Sequence, residues 1–426
     1  MNFVIVAPSF YPWPSAEGYC STRFASALAK AGHQVEVITN WRPDDMYEKS
    51  YQKLVHPAVK ITRVGPCTRV ATKWPYVDWK WVTVMEPETD LIAPYVKATR
   101  EALSRYEQPI LISRTHPWLA FYAGWYCRKQ AAKWVAHFSD PMLDVKPFCR
   151  LARLMLWSLK WWMRRAMRKA DAISVTCKRV KWYYQEQLGS CVDRAKFILT
   201  THIGDFKLDD KKVEKKGGGG GRDEDIHCQP TRSTSSLIVH DGDIYYGRGL
   251  QILEAVKNLN EQGVAVEFIQ GRRVKNEGDR KKILETPHCF ILDENATDEL
   301  RERAKAAQVS FVADFNMPGL SYSTHLMSKF VYQLFTDKPM VVFAKVDSEK
   351  HDYCVAYPEA GLFFADMKEP GSLEKAIKAA LNCDPKTIDR SRIRERFSEE
   401  HIAAEFIEQL ECEDGESLKE KWMGRV

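Results

Sequence analysis

Thirteen short apolar runs, most of them rich in β-branched residues and separated by polar or helix-patterned stretches, dominate this 426-residue chain and leave few architectures open to it. In the first half they fall at 3–7, 34–39, 60–64, 109–113, 133–138, 171–176 and 196–200; in the second at 236–240, 264–270, 289–292, 309–313, 339–344 and 361–365. Runs this short that are apolar at successive positions read as strands buried on both faces. Helix-spaced apolar residues lie between them at 21–31, 91–106, 118–130, 250–261, 298–307, 326–335 and 372–381. Alternation of this kind predicts α/β domains with parallel sheets covered by helices on both sides.

The scheme is interrupted once, by Lys211-Lys212-Val213-Glu214-Lys215-Lys216, five glycines at 217–221, and Arg222-Asp223-Glu224-Asp225. Burial cannot offset the ordering entropy of such a tract, so a flexible linker is predicted at 206–234. It divides an N-terminal Rossmann-like domain (1–205) from a second one (235–400), and a helical tail at 401–426 can cross back to the first. Two doubly wound domains facing each other enclose a cleft at the carboxyl ends of their strands, where ligands of such sheets bind.

Charge and cysteine content narrow the ligand. A net charge of +6 over the whole chain does not call for nucleic acid, and no such partner is expected. The charge is concentrated, because residues 145–184 hold eleven Lys and Arg against one acid, Asp171. Within this stretch residues 150–169 contain Trp157, Trp161 and Trp162, and on a helix Arg153, Lys160, Arg164 and Arg168 form a basic stripe opposite Leu151, Leu154, Met155, Leu159 and Trp162. Basic residues interleaved with tryptophan suit an anionic membrane surface; a core-packed helix with a solvated basic face fits the pattern equally well. Eleven scattered cysteines with no C-x-x-C pair argue against a disulfide framework or a zinc ribbon and for a reducing compartment. Residues 1–8 read as a strand ended by Pro8, not as a signal peptide, and no apolar run approaches the ~18 residues of a membrane span. A cytoplasmic location is expected, at most peripheral on the inner face of a membrane.

The turn after the first strand, 8–19, is proline-rich with a single glycine, Gly18, which disfavours a dinucleotide. This loop, with Tyr11-Pro12, then Glu17-Gly18, a helix ending Leu28-Ala29-Lys30-Ala31-Gly32-His33, and the strand from Gln34, resembles the opening of GT-B glycosyltransferases of the large retaining family 4. Two further stretches resemble that family in the same order. The strand ending His240-Asp241-Gly242-Asp243 leads to Gly247-Arg248-Gly249, and Ser328-Lys329 opens a helix followed by Lys338-Pro339 and a strand. The resemblance implies GT-B architecture and transfer of a sugar from a UDP- or GDP-linked donor to a hydroxyl of a glycan or lipid-linked acceptor, with retention and without a bound metal or other cofactor. It further implies that Gly18, Gly242, Arg248, Ser328, Lys329 and Tyr332 border the donor, that His116 lies over the donor sugar, and that Asp140 meets an acceptor hydroxyl. Asp243 stands where the family has its first phosphate-binding Arg, and Tyr332 where it has a ribose-binding Glu. As bare residues, Gly18 can serve only a turn, Arg248 and Lys329 can be solvated charges, and His116 and Asp140 can be structural loop residues. Two rival functions follow from the departures: a non-catalytic GT-B subunit that binds a partner transferase or glycan, and a sugar-nucleotide epimerase.

Overall fold

The computed structural model describes residues 1–12, 15–41, 53–65, 89–115, 117–141, 143, 152–204, 235–244, 247–271, 274–292, 298–315 and 319–412. The linker expected at 206–234 and the end of the tail lie outside them. All thirteen expected strands are present, shifted by no more than two residues at either end. In the first domain they are β1 (Asn2–Val6), β2 (Gln34–Asn40), β3 (Val59–Val64), β4 (Ile110–Thr115), β5 (Lys133–Phe138), β6 (Ala172–Val175) and β7 (Phe197–Leu199). In the second they are β8 (Ser236–His240), β9 (Val266–Gln270), β10 (Cys289–Ile291), β11 (Val309–Ala313), β12 (Met340–Ala344) and β13 (Leu362–Asp366). Every pairing is parallel, in the orders β3-β2-β1-β4-β5-β6-β7 and β10-β9-β8-β11-β12-β13. Each sheet reverses its winding direction beside its first strand, so each has one switch point: between β1 and β4, and between β8 and β11.

The described helices are α1 (Ala16–Lys30), α2 (Ile92–Leu103), α3 (Leu119–Cys127), α4 (Ala152–Lys169), α5 (Arg179–Leu188), α6 (Gln251–Glu261), α7 (Glu277–Glu285), α8 (Asp298–Lys305), α9 (Ser328–Gln333), α10 (Glu349–Ala356), α11 (Ser372–Leu381), α12 (Ser391–Arg396) and α13 (Glu399–Glu411). Pattern reading did not name α5, α7, α10 or α12, and for the last three the reason is physical. α7 buries only Asp279 and Ile283, α12 buries only Ile393, and the buried face of α10 is Glu349, Lys350 and Tyr353, so none shows an apolar stripe. No described helix is long and apolar enough to cross a membrane. On α4 the residues facing the core are Ser158, Leu159, Met163, Ala166 and Met167, while Trp157 and Trp161 are 64% and 39% exposed beside Arg165, whose guanidinium lies 3.2 Å over the Trp161 ring.

α13 packs against α1 and β7 of the first domain. Phe406, fully buried between Phe3 and Phe24, contributes on the order of 2 kcal/mol by burial alone. Gln409 accepts from Leu199 N–H at 2.7 Å and donates to its carbonyl at 3.1 Å, satisfying the outer edge of β7. The domains also meet at α5 and α10. Arg179 donates to Asp347 at 2.6 Å and grips both oxygens of Asp352 at 2.7 and 3.2 Å, and the Lys178 N–H donates to Glu349.

Candidate functional site at the interdomain crevice

The switch point of the second sheet gathers three of the expected residues. Gly249 has φ +72°, and a Cβ on it would stand 2.7 Å from the Cβ of Ala313, so only glycine lets this loop lie on the end of β11. The approach buries Arg248, whose Nε donates to the Ala313 carbonyl at 2.8 Å and whose guanidinium also reaches the sulfur of Met327. Gly242 follows β8, and the Cδ of Lys329 lies 3.3 Å from where its Cβ would be. Lys329 thus lies at the turn after β8, and Arg248 lies on the end of the neighbouring β11.

His240, the last residue of β8, completes this turn. Its Nδ1–H donates to the Phe311 carbonyl at 2.8 Å, which leaves Nε2 as the unprotonated nitrogen, against Gly242. Burial, reinforced by Arg248 and Lys329, drives its pKa down to about 3 despite the opposing carbonyl. The ring is therefore neutral at physiological pH and adds no third charge. Ser328 begins α9 next to Lys329 and is half-buried. Asp243, at the position of the expected first Arg, is also half-buried.

The first domain supplies the facing wall. Ser15 caps α1 and accepts from the Gly18 N–H at 2.9 Å, so the donor expected to approach a diphosphate is already engaged by the cap. Arg114, at the end of β4, donates to Ser21 at 2.9 Å and pairs with Glu17 at 3.3 Å. Asp140 lies exposed just beyond β5. His116 lies outside the described residues. Tyr332, expected at the donor, meets α1: its ring packs edge-on against Tyr19 with centroids 5.3 Å apart, and its hydroxyl lies 3.5 Å from the Cys20 sulfur.

Two further histidines line the crevice that pattern reading did not single out. His202 Nδ1 lies 3.3 Å from the Cys20 sulfur. Burial lowers its pKa to about 4, opposed by the Asp140 carboxylate and a hydrogen bond to the Leu326 backbone and assisted by Arg114. Burial, with Glu17 nearby, pushes the Cys20 thiol up to about 12, so it stays protonated and serves as a hydrogen-bonding group, not a nucleophile. His325, on the loop before α9, is held below its ordinary pKa by burial, while Asp140 and Asp314 act in the opposite sense. Their only signal in the sequence was proximity to motif residues: Cys20 follows Gly18 closely, and His325 precedes Ser328. Among the described residues no group of three or more His, Cys, Asp or Glu side chains is placed to hold a metal ion.

Two Rossmann-like domains whose switch points both border one crevice define the GT-B class of fold. Residues 18–199 match the glycosyl transferase 4-like domain, which places glycosyltransferase sequence character in the N-terminal half. Anabaena HepE, solved with UDP and glucose, aligns over 96% of this chain and 99% of its own with a TM-score of 0.58 and 14% identity. The lipopolysaccharide outer core galactosyltransferase WaaB aligns over 96% of this chain and 99% of its own, at 0.54 and 12%. WaaG, a glycosyltransferase of lipopolysaccharide biosynthesis, covers 99% and 100% at 0.50 and 11%. At these identities the likeness establishes the fold. Among curated protein sequences none matches this chain significantly.

Proposed function

We propose that the protein is a glycosyltransferase that moves a sugar from a UDP- or GDP-linked donor to a hydroxyl of a glycan or lipid-linked acceptor, with retention and without a metal. The observation that carries this reading is the placement of Lys329 at the Gly242 turn and of Arg248 on the adjacent end of β11, at the β8–β11 switch point. Preorganised cations at the position where a leaving diphosphate gathers charge stabilise the transition state without reorganising. Arg248 suits the task because its planar guanidinium can grip phosphate oxygens in pairs, and Lys329 adds a second charge in place of the missing Arg at Asp243. Ser328 would border the diphosphate and His116 the donor sugar. Asp140 would receive an acceptor hydroxyl from the first domain. The matched glycosyl transferase 4-like domain and the UDP and glucose bound by HepE support a nucleotide sugar as ligand. The exposed tryptophans and arginines of α4 support peripheral attachment to an anionic, inner-leaflet membrane surface, where a lipid-linked acceptor resides.

Calorimetry with UDP, GDP and their sugar conjugates tests the reading. Arg248→Ala should weaken the best nucleotide by about 1.5–3 kcal/mol, the worth of a charged hydrogen bond. Unchanged affinity would remove Arg248 from the site. One observation favours a second reading, a non-catalytic subunit: Tyr332 is engaged with Tyr19 and Cys20. Absence of both nucleotide binding and nucleotide release from a donor panel would select that reading.

A further inference from the structure

Arg248 is flanked by two glycines in the left-handed region, Gly247 at φ +71° and Gly249 at φ +72°. Glycine adopts that conformation readily but many others as readily, so a turn of this composition keeps one shape only where its surroundings hold it. On the Gly249 side the hold is the close approach to Ala313, together with the bond from Arg248 Nε to the Ala313 carbonyl. On the Gly247 side it is a carboxylate, because the Gly247 N–H donates to Asp279 Oδ2 at 3.1 Å. The segment before α7 is tied to the one before the turn as well: Val274 bridges Ile244 in parallel, and the Lys275 N–H donates to the Ile244 carbonyl at 3.0 Å.

Asp279 is itself firmly placed. It shares the inward face of α7 with Ile283, four residues on, and Ile283 is wholly buried in the same apolar cluster as Ile244, Ile252 and Leu253. Asn276 caps the helix, its Oδ1 accepting from the Asp279 N–H at 3.1 Å, so backbone and carboxylate are both fixed. An acid on an inward face adds no apolar area to the core and is costly to bury without a partner, and the Gly247 N–H is the partner it meets. We propose that Asp279 is a positioning residue for diphosphate binding: by accepting from the Gly247 N–H it holds the Gly-Arg-Gly turn in the shape that sets Arg248 on the end of β11. The inference rests on the nucleotide-sugar reading, in which Arg248 meets the diphosphate. A cation ordered before the ligand arrives binds without the cost of ordering it, so loosening the turn lowers affinity although Arg248 itself is unchanged.

Calorimetry with UDP and GDP on the full-length protein and its variants separates the two. Asp279→Ala should weaken the better-bound nucleotide about threefold to tenfold, and Asp279→Asn, whose amide oxygen still accepts from Gly247, should recover most of that loss. In an Arg248→Ala background, Asp279→Ala should change the affinity by less than about twofold, since the turn then has no cation to place. A merely structural role for Asp279 gives the same loss with and without Arg248. Additive losses therefore overturn the inference, as do an unchanged affinity in Asp279→Ala and a failure of Asp279→Asn to recover it. If Asp279→Ala does not fold, Asp279→Ser, whose hydroxyl falls one bond short of Gly247, takes its place in the cycle. These results leave nucleotide binding by the wild type standing, whereas a wild-type protein that binds neither nucleotide overturns the proposed function and this inference together.

Discussion

Adding one methyl group at Gly242 tests how tightly the turn beneath the proposed diphosphate site is built. The new Cβ would stand 2.5 Å from His240 Nε2 and 2.6 Å from its Cε1, against the ~3.5 Å at which nonbonded heavy atoms normally rest. His240 cannot swing aside freely, being 2% exposed and bonded to Phe311 across the sheet at 2.8 Å. Breaking that bond costs about 1 kcal/mol net, and up to ~3 kcal/mol if a buried partner stays unsatisfied. Shifting the turn instead disturbs the 2.5 Å bond from Gln270 to the Gly242 carbonyl. With an overpacking strain of about 1–3 kcal/mol, Gly242→Ala should destabilise the protein by about 2–4 kcal/mol. If the cost comes from this collision, it should largely vanish once the ring is gone, so Gly242→Ala should cost under ~1 kcal/mol in a His240→Ala background. Urea unfolding of the four proteins of this cycle, followed by tryptophan fluorescence, gives the coupling directly. Additivity within about 0.5 kcal/mol would refute the collision and with it the close approach of His240 to the turn.

The buried Lys350–Asp314 pair should behave unlike a surface ion pair. Lys350→Met strands a carboxylate in the core and should cost about 3–5 kcal/mol in urea unfolding, whereas adding Asp314→Leu should recover more than half of it; no recovery would show that the two side chains are not paired. On α4, neutralising Arg164, Arg165 and Arg168 together should reduce binding to phosphatidylserine-containing vesicles by about tenfold or more in low salt, and by less as salt rises. Undiminished binding in a vesicle sedimentation assay would make the basic face structural.

Most strands could be read from the sequence because both of their faces are buried, so the apolar run and the strand coincide; the edge strands β3 and β13 are only partly so. Val4, Ile5 and Val6 point alternately to opposite sides of the first sheet, yet all three are wholly inaccessible. α10 shows the opposite case. Its buried Glu349 and Lys350 answer Lys178 and Asp314, partners that only tertiary contact reveals, so a periodicity of apolar residues has nothing to register.

The same distinction runs through the crevice. Gly242, Arg248 and Lys329 were singled out by the family resemblance, and each sits within a few residues of a strand end or helix start, where a motif is local in sequence. Cys20 and His202 are 182 residues apart and Cys20 and Tyr332 are 312 apart, so no local pattern joins them. Their meeting nevertheless explains the substitution that stood out in the sequence. A carboxylate at Tyr332 would lose the edge-on contact with the Tyr19 ring and would stand against a thiol that burial keeps protonated, leaving Arg23 as the cation acting on it. A phenol fits because its ring packs edge-on and its hydroxyl meets the Cys20 sulfur.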